Sequence, residues 1–212
     1  MANPTAVFPV HYLGSTRFYA ALLQHPEFQW EVWEHFPKQT YRNRCVIYGA
    51  NGPLVLSVPT ERNGERVPLK EQRISNRERW QHLHWRSFES AYRSSPYFEF
   101  FEDQLYPFYH KEFRFLLDFN FELHALVTQW LQVVLPGSPT TRYEVALPDT
   151  VTDWRAAFPA RGANARPETD AYIQVFGDRH GFLSDLSIMD LLFNQGPSGL
   201  DFLRQLSVKA EV

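Results

Sequence analysis

Apolar and polar positions follow two periods along this chain. Residues 5 to 10, TAVFPV, form an apolar run that predicts a first strand, with Pro9 marking its end. STRFYAALLQH, residues 15 to 25, places Phe18, Ala21, Leu22 and His25 on one helical face, and Ser15 or Thr16 can cap it. QWEVWEHF, residues 29 to 36, alternates as a second strand does. Two β-rich runs within residues 43 to 58 flank Gly-Ala-Asn-Gly-Pro, which predicts a hairpin with Asn51 and Gly52 in its turn. A polar loop then leads to a short strand near Leu69 to Ile74.

The middle of the chain switches to helical spacing. Trp80, Leu83, His84, Ser87, Phe88 and Ala91 share one face of a helix over 76–94. A shorter helix is expected over 97–106, before Pro107. A third, over 111–134, turns Phe113, Leu116, Leu117, Asn120, Leu123, His124, Val127 and Leu131 inward. Residues 136–170 lose the pattern, and five prolines punctuate a long connection with one short helix near Asp153 to Phe158. AYIQVF, residues 171 to 176, predicts a strand, and short helices start at Ser187 and near Ser198. Ser187 with Asp190, and Ser198 with Asp201, have the spacing of capping boxes. Gly196 suits a helix C-cap.

These elements predict an α/β fold, a Rossmann-like three-layer sheet with a β-hairpin and flanking helices; α+β is the alternative. Strand one, the second strand, the hairpin and 171–176 are expected in one sheet. The chain reads as a single domain over 1–212 with a Pro-rich connection at 136–170.

Composition narrows the function. The chain has 212 residues, 16% of them aromatic, enough for a real core. Its net charge of −3 argues against a general nucleic-acid binder, and the Arg-rich stretch 62–93 is matched by interspersed glutamates. One cysteine excludes a disulfide framework, and the scattered histidines predict no structural metal. No apolar run has membrane-spanning length, and MANPTAVFPV lacks a signal-peptide pattern, so a cytoplasmic protein is expected. Oligomeric state and cofactor stay open; there is no P-loop, full Gly-x-Gly-x-x-Gly, Gly-x-Ser-x-Gly or His-Glu-x-x-His.

KQTYRNRCVI, residues 38 to 47, holds the densest candidate chemistry. On an extended strand Arg42 and Arg44 fall on one face, ~7 Å apart, opposite Asn43 and Cys45. Two guanidinium forks so placed suit phosphate or carboxylate, and Lys38 adds a third charge. The competing reading pairs the arginines with Glu31 or Glu34. His84, within an apolar helix face, is either a hydrogen-bonded core group or a general base facing a cleft. Asn43 and Tyr92 are candidates to orient an acceptor. His11 stands between the first strand and helix, where anions bind; a second histidine of the His-x-Gly-His type is missing. His180 and Asp185 have a His-x4-Asp spacing that arises often by chance. Gln174 and Asn194 are further site candidates because capping does not explain them.

HYLGSTRFYAAL, KQTYRNRCVIYGANGPLVLSVP, RWQHLHWRSFESAYRSSPYF, FLLDFN and YIQVFGDRHGFLSDLSIMDLLFNQG, in this order and spacing, resemble the WbqC-like family over about residues 8 to 200. Glu34 and His35 stand where many members carry an Asp, and Gly14 where many carry a proline. The resemblance implies a bacterial cytoplasmic protein linked to surface-polysaccharide (O-antigen) genes. It also implies a transferase of acyl or aminoacyl groups, glycine among them. In that case Lys38, Arg42 and Arg44 bind a small anionic metabolite or activated donor, and His84 is the base. The alternative is a non-catalytic protein that binds an anion or nucleotide in the same pocket.

Overall fold

The computed structural model describes residues 5–37, 39–61, 66–158 and 171–210. Strand β1 (Ala6–Pro9) runs through the four-residue turn region around Tyr12 into helix α1 (Thr16–Leu23), which returns to β2 (Phe28–Glu31). β1 and β2 pair in parallel, Ala6 opposite Phe28 and Pro9 opposite Glu31. The hairpin follows as β3 (Arg44–Gly49) and β4 (Gly52–Ser57). Helices α2 (Trp80–Tyr92), α3 (Phe98–Leu105) and α4 (Leu116–Trp130) come next. Two short strands, β5 (Ser138–Pro139) and β6 (Thr152–Asp153), and helices α5 (Gly177–His180), α6 (Ile188–Gln195) and α7 (Gly199–Gln205) complete the order.

The fold is α/β. Its parallel sheet has the order β5-β2-β1-β6. The chain leaves β1 towards β2 and β5, yet β6 arrives on the other side of β1. In parallel sheets such a reversal opens a crevice at the carboxyl ends of the strands, where ligands bind. A core of Phe8, Phe18, Phe28, Trp30 and Trp154 packs around this sheet, with Phe8 stacked on Trp154 at 5.4 Å and edge-on to Phe28 at 5.4 Å.

Several expectations are corrected. The hairpin does not join the parallel sheet; it is a separate two-stranded sheet. The outer edge of β3 is already used, because Val46 O accepts from Ser187 N and Tyr48 N donates to the Tyr92 hydroxyl. Its turn residues are Ala50 and Asn51, with Gly49 opposite Gly52, and Gly52 takes φ 104°, which favours glycine. Residues 171–174 are not a strand: Tyr172 and Gln174 turn their polar groups to Asp190 rather than to a sheet neighbour. Leu69–Glu71 is a 3-10 turn, and the expected helix at Asp153 to Phe158 is β6 followed by turns.

The long helices are shorter than their apolar patterns. α4 starts at Leu116 because Arg114 O and Leu116 N are committed to Ile74 and Gln72. On α2, Leu83 points outward at 64% exposure, while Trp85 and Tyr92 join Trp80, His84, Phe88 and Ala91 inside. α6 is capped as expected at Ser187, whose Oγ accepts from Met189 N. Asp190 does not close that box; its side chain turns into the core. Ser198 forms no side-chain cap on α7. Gly196 ends α6 at φ 58°, with the Tyr97 ring 2.5 Å from where a Cβ would sit, so no other residue fits there.

Asp190 is fully buried and accepts from the Tyr92 hydroxyl (2.8 Å), the Tyr172 hydroxyl (2.6 Å) and Gln174 Nε2 (2.8 Å). This hub fastens the 171–183 segment to α6 and α2. Asp190→Ala leaves three donors without an acceptor, and unsatisfied buried groups cost about 1–3 kcal/mol each. Urea unfolding should therefore show a loss of about 3 kcal/mol or more for Asp190→Ala, against about 1 kcal/mol for Tyr172→Phe.

Candidate functional site

Beyond Asp190, a cluster of buried charges gathers at the carboxyl end of β2. Glu31 is 1% exposed, and its Oε1 accepts from Trp33 N (2.7 Å), Glu34 N (3.1 Å) and Thr140 Oγ1 (3.2 Å). Arg42 grips Glu34 in a two-pronged ion pair: Nε donates to Oε1, and Nη2 donates to Oε2 at 2.7 Å. Arg42 Nη2 also donates to Arg155 O at 3.1 Å. Arg155 in turn pairs with Asp153 at 2.6 Å and lies 3.8 Å from Glu31. Sequence reasoning missed Arg155, whose signal was only an Asp-Trp-Arg within a Pro-rich tract.

Arg42 and Arg44 therefore do not form the expected tandem. β3 starts at Arg44, and residues 41–43 form a turn, so strand alternation does not reach Arg42. Arg42 takes the local-carboxylate role with Glu34. Arg44 keeps its charge unmatched: among the described residues it forms no ion pair, and its Nε is buried without an acceptor. Lys38 lies outside the described residues.

His11 occupies the other side of this turn. Tyr12 N donates to Tyr41 O at 2.9 Å, which docks the turn against the residues after β1. The His11 ring stacks on Phe18 at 4.3 Å and lies 5.7 Å from the Tyr41 ring and 5.7 Å from Phe158. It is 5% exposed, and its Nδ1 has no partner. Burial, and then the nearby Arg42 charge, hold its pKa well below the ordinary value, so the imidazole is neutral.

The amides at the N-terminus of α1 are used internally. Thr16 N donates to Leu186 O, Arg17 N to the Asp185 carboxylate (3.2 Å) and Phe18 N to Ser15 Oγ (3.4 Å). Asp185 thus stands where a ligand anion would meet the helix, and His11 is not part of a helix-terminus nucleotide site. His180 does not approach a nucleophile; its Nε2 bonds Ala50 O at 2.9 Å.

The remaining sequence candidates separate into two buried networks. His84 Nε2 faces Ser57 O at 3.2 Å, a carbonyl, so that nitrogen carries the proton. Its Nδ1 accepts from the Tyr12 hydroxyl at 2.8 Å, which bonds Tyr109 at 2.7 Å. Both ring nitrogens are occupied, and burial lowers its pKa to about 4 despite the Ser57 contact. This is the environment of a core histidine. Tyr92, Gln174 and Asn194 do converge, but on Asp190: Asn194 Nδ2 donates to Asp190 O at 2.7 Å. Asn43 is fixed by Nδ2–H donating to Val58 O at 2.8 Å, which leaves its buried Oδ1 unpartnered. Asn120 repeats the pattern, with Nδ2 on Arg42 O at 2.8 Å and a free Oδ1. Unpartnered buried polar atoms thus gather around the 41–44 turn.

Among the described residues there is no group of His, Cys, Asp and Glu arranged to hold a metal ion. Among them, too, no helix is long and apolar enough to cross a membrane. A groove of about 320 Å³ is lined by Glu61, Arg73, Ile74, Asn76, Glu112, Phe113 and Arg114, none of them a residue of the parallel sheet or a sequence candidate.

Fold and cluster together define an α/β protein with a buried neutral histidine after β1, packed on Tyr41, and an arginine without an ion-pair partner among the described residues at the start of β3. The chain belongs to the WbqC-like protein family, whose model matches residues 18–161. That span contains Glu34, Arg42, Arg44 and Arg155, and His11 and Asp190 flank it. The chain is similar to an uncharacterised protein of Mycobacterium tuberculosis, 26% identical over 197 residues, 80% of this chain and 84% of the other. No solved structure matches it.

Two predictions separate structural from free charges. Arg42→Gln leaves Glu34 buried and unpaired, so chemical denaturation should show a loss of about 3–5 kcal/mol, whereas Arg44→Gln should cost no more than about 1 kcal/mol. Buried neutral histidines set an acid limit. His84 and His124 both fall from 6.5 to about 4 on folding, so below pH 6.5 the unfolded chain binds more protons. Stability is fully present above that value and drains as pH falls towards 4, by about 2 kcal/mol per histidine between pH 7 and pH 5. Denaturation curves across that range should flatten in His84→Gln.

Proposed function

We propose that this chain is a transferase that binds the anionic part of a small activated acyl or aminoacyl donor, glycine among the candidates. The acceptor belongs to bacterial surface-polysaccharide assembly in the cytoplasm, a role that rests on the family resemblance. Arg44 holds the anion, with Lys38 as a second cation, and His11 replaces His84 as the base. One observation carries the reading. Arg44, without a carboxylate partner among the described residues, directly follows the 41–43 turn, and His11, a neutral imidazole with a free nitrogen, packs on Tyr41 of the same turn. A buried guanidinium nitrogen without an acceptor is costly, and an anion relieves that cost.

The chemistry follows from these groups. His11 takes the proton from an acceptor hydroxyl or amine as its lone pair attacks the donor carbonyl. The bond to the donor's leaving group breaks, and the leaving group departs with the electron pair as an anion beside Arg44. A neutral base next to a cation is suited to this, because burial and, after it, the Arg42 charge keep His11 unprotonated until it receives the acceptor's proton.

A non-catalytic anion-binding role is the second reading. It is favoured by the internal bonds of Asn43 and Tyr92, which are not free to orient an acceptor.

Titration with inorganic phosphate and acetyl phosphate, followed by calorimetry or amide shifts, tests the pocket. Arg44→Gln should weaken both by tenfold or more, roughly the worth of a charge-assisted bond; unchanged affinity sinks the proposal. His11→Asn divides the two readings. Transfer to an acceptor should fall by about 10²-fold or more with phosphate affinity nearly unchanged if His11 is the base.

A further inference from the structure

Residues 152–158 run from the edge of the parallel sheet to the His11 ring, which Phe158 meets at 5.7 Å, and little backbone bonding holds them there. Thr152 N donates to Thr5 O and Trp154 N to Val7 O, both at 2.9 Å. Beyond β6 the chain turns, stacks Trp154 on Phe158 at 5.6 Å, and sets the Phe158 ring against His11 and Phe18. A two-residue edge strand with so few backbone bonds belongs to the low-stability end of a fold, where local opening occurs.

The fastening that stands out is a side-chain bond. Trp154 Nε1 donates to His25 Nε2 at 3.0 Å. An indole N–H only donates, so His25 Nε2 must be the unprotonated nitrogen, and Nδ1–H faces Thr5 Oγ1 at 3.4 Å. Thr5 Oγ1 itself donates to Glu27 O at 2.7 Å. Every hydrogen-bonding role is thereby fixed, and only neutral imidazole satisfies them.

We infer that residues 152–158 form a closure over His11 that opens when His25 takes up a proton. A proton on Nε2 sets donor against donor at Trp154, and the bond is lost. The Trp154 side chain would then keep its stacking on Phe8 and Phe158, its backbone the bond to Val7 O, and beyond it Arg155 would be held by Arg42 at its carbonyl and by Glu144 O and Glu31 at its guanidinium. The groups that meet the His25 ring are Thr5, Phe8 and Trp154. The charged residues on those elements are otherwise engaged or distant: Asp153 and Arg155 bond each other, and Glu27 offers only its backbone carbonyl, through Thr5. Partial burial lowers the His25 pKa from 6.5, so the closure is fastened at neutral pH and released in mild acid. The inference stands apart from the anion-binding proposal, because its readouts need no ligand.

Amide hydrogen exchange, corrected for intrinsic rates, compares Trp154 with Ile47 in β3 as an internal reference for global opening. Loss of one ordinary hydrogen bond shifts an opening equilibrium about fivefold. Between pH 7 and pH 5 exchange at Trp154 should rise about that much relative to Ile47. It should stay level in His25→Gln, whose amide oxygen can still accept from the indole. At constant pH 7, His25→Lys should raise the rate of His11 carbethoxylation by diethyl pyrocarbonate several-fold over His25→Gln. If Trp154 follows Ile47 at both pH values, if the rise persists in His25→Gln, or if His11 reacts equally in both variants, the closure is refuted. Should His25→Lys not fold, the exchange comparison of wild type with His25→Gln decides alone.

Discussion

The buried pair between Arg42 and Glu34 is the constraint on which the site depends. Taking both charges out of water is expensive, and it is tolerable only because the pair is bidentate and its remaining polar groups are bonded. Glu34 N donates to Glu31 Oε1 and Glu34 O accepts from Leu69 N. Arg42 O accepts from Asn120, and Arg42 Nη2 reaches Arg155 O. One ion pair therefore joins the end of β2, the 41–43 turn, α4 and the segment after β6. β2 and β6 belong to one sheet, whereas the 41–43 turn and α4 lie outside it, and the pair ties that turn to the sheet while Arg42 O ties it to α4.

That constraint assigns different work to two arginines separated by a single residue. Arg42 is neutralised by Glu34, but its field still acts on its neighbours, and it helps keep His11 uncharged. Arg44 stands at the start of β3, beyond the reach of Glu34, and is left as a cation without a counter-charge among the described residues. A structural arginine next to a free one is a different arrangement from two arginines gripping one ligand. Under the proposed function it favours a single anionic group with a polar, uncharged partner beside it over a diphosphate.

The parts of the fold that were legible in the sequence are those whose pattern repeats. The hairpin shows because Gly49 and Gly52 bracket its turn, and α2 and α4 show because their apolar residues recur over three or more turns. β5 and β6 could not show. Two residues have no period, and these strands exist only because β2 and β1 offer parallel partners distant in the chain. The tract 171–176 misleads for the opposite reason. Its alternation is real, but Ile173 points to solvent at 85% exposure while Tyr172 and Gln174 turn in to a carboxylate, not to a sheet. Asp190 itself was hidden by a sufficient explanation: its spacing from Ser187 fits a capping box, so nothing in the sequence asked for a core role. For the site, residue types were readable and partners were not. Whether Arg42 belongs to a ligand or to Glu34 depends on where β3 begins, and a shift of a few residues in that boundary reverses the answer.

The same physics explains why His11 and His84, both buried and both neutral, differ in what they can do. His84 is enclosed by a complete set of partners: a carbonyl at one nitrogen and the Tyr12 hydroxyl at the other. Adding a proton at Nδ1 would reverse the Tyr12–Tyr109 bond and displace the Tyr109 hydroxyl proton inside the core, so its neutrality contributes to stability. His11 has an aromatic wall of Phe18, Tyr41 and Phe158 and no partner at Nδ1. Its proton acceptance breaks no internal bond, and the cost is that of burying the charge and, after that, of holding it beside Arg42. An arriving anion at the 41–44 turn lowers that cost. Under the proposed function, ligand binding and proton acceptance at His11 are thereby coupled in sign, each favouring the other, and a base made competent by its substrate would need no further device to stay silent without it.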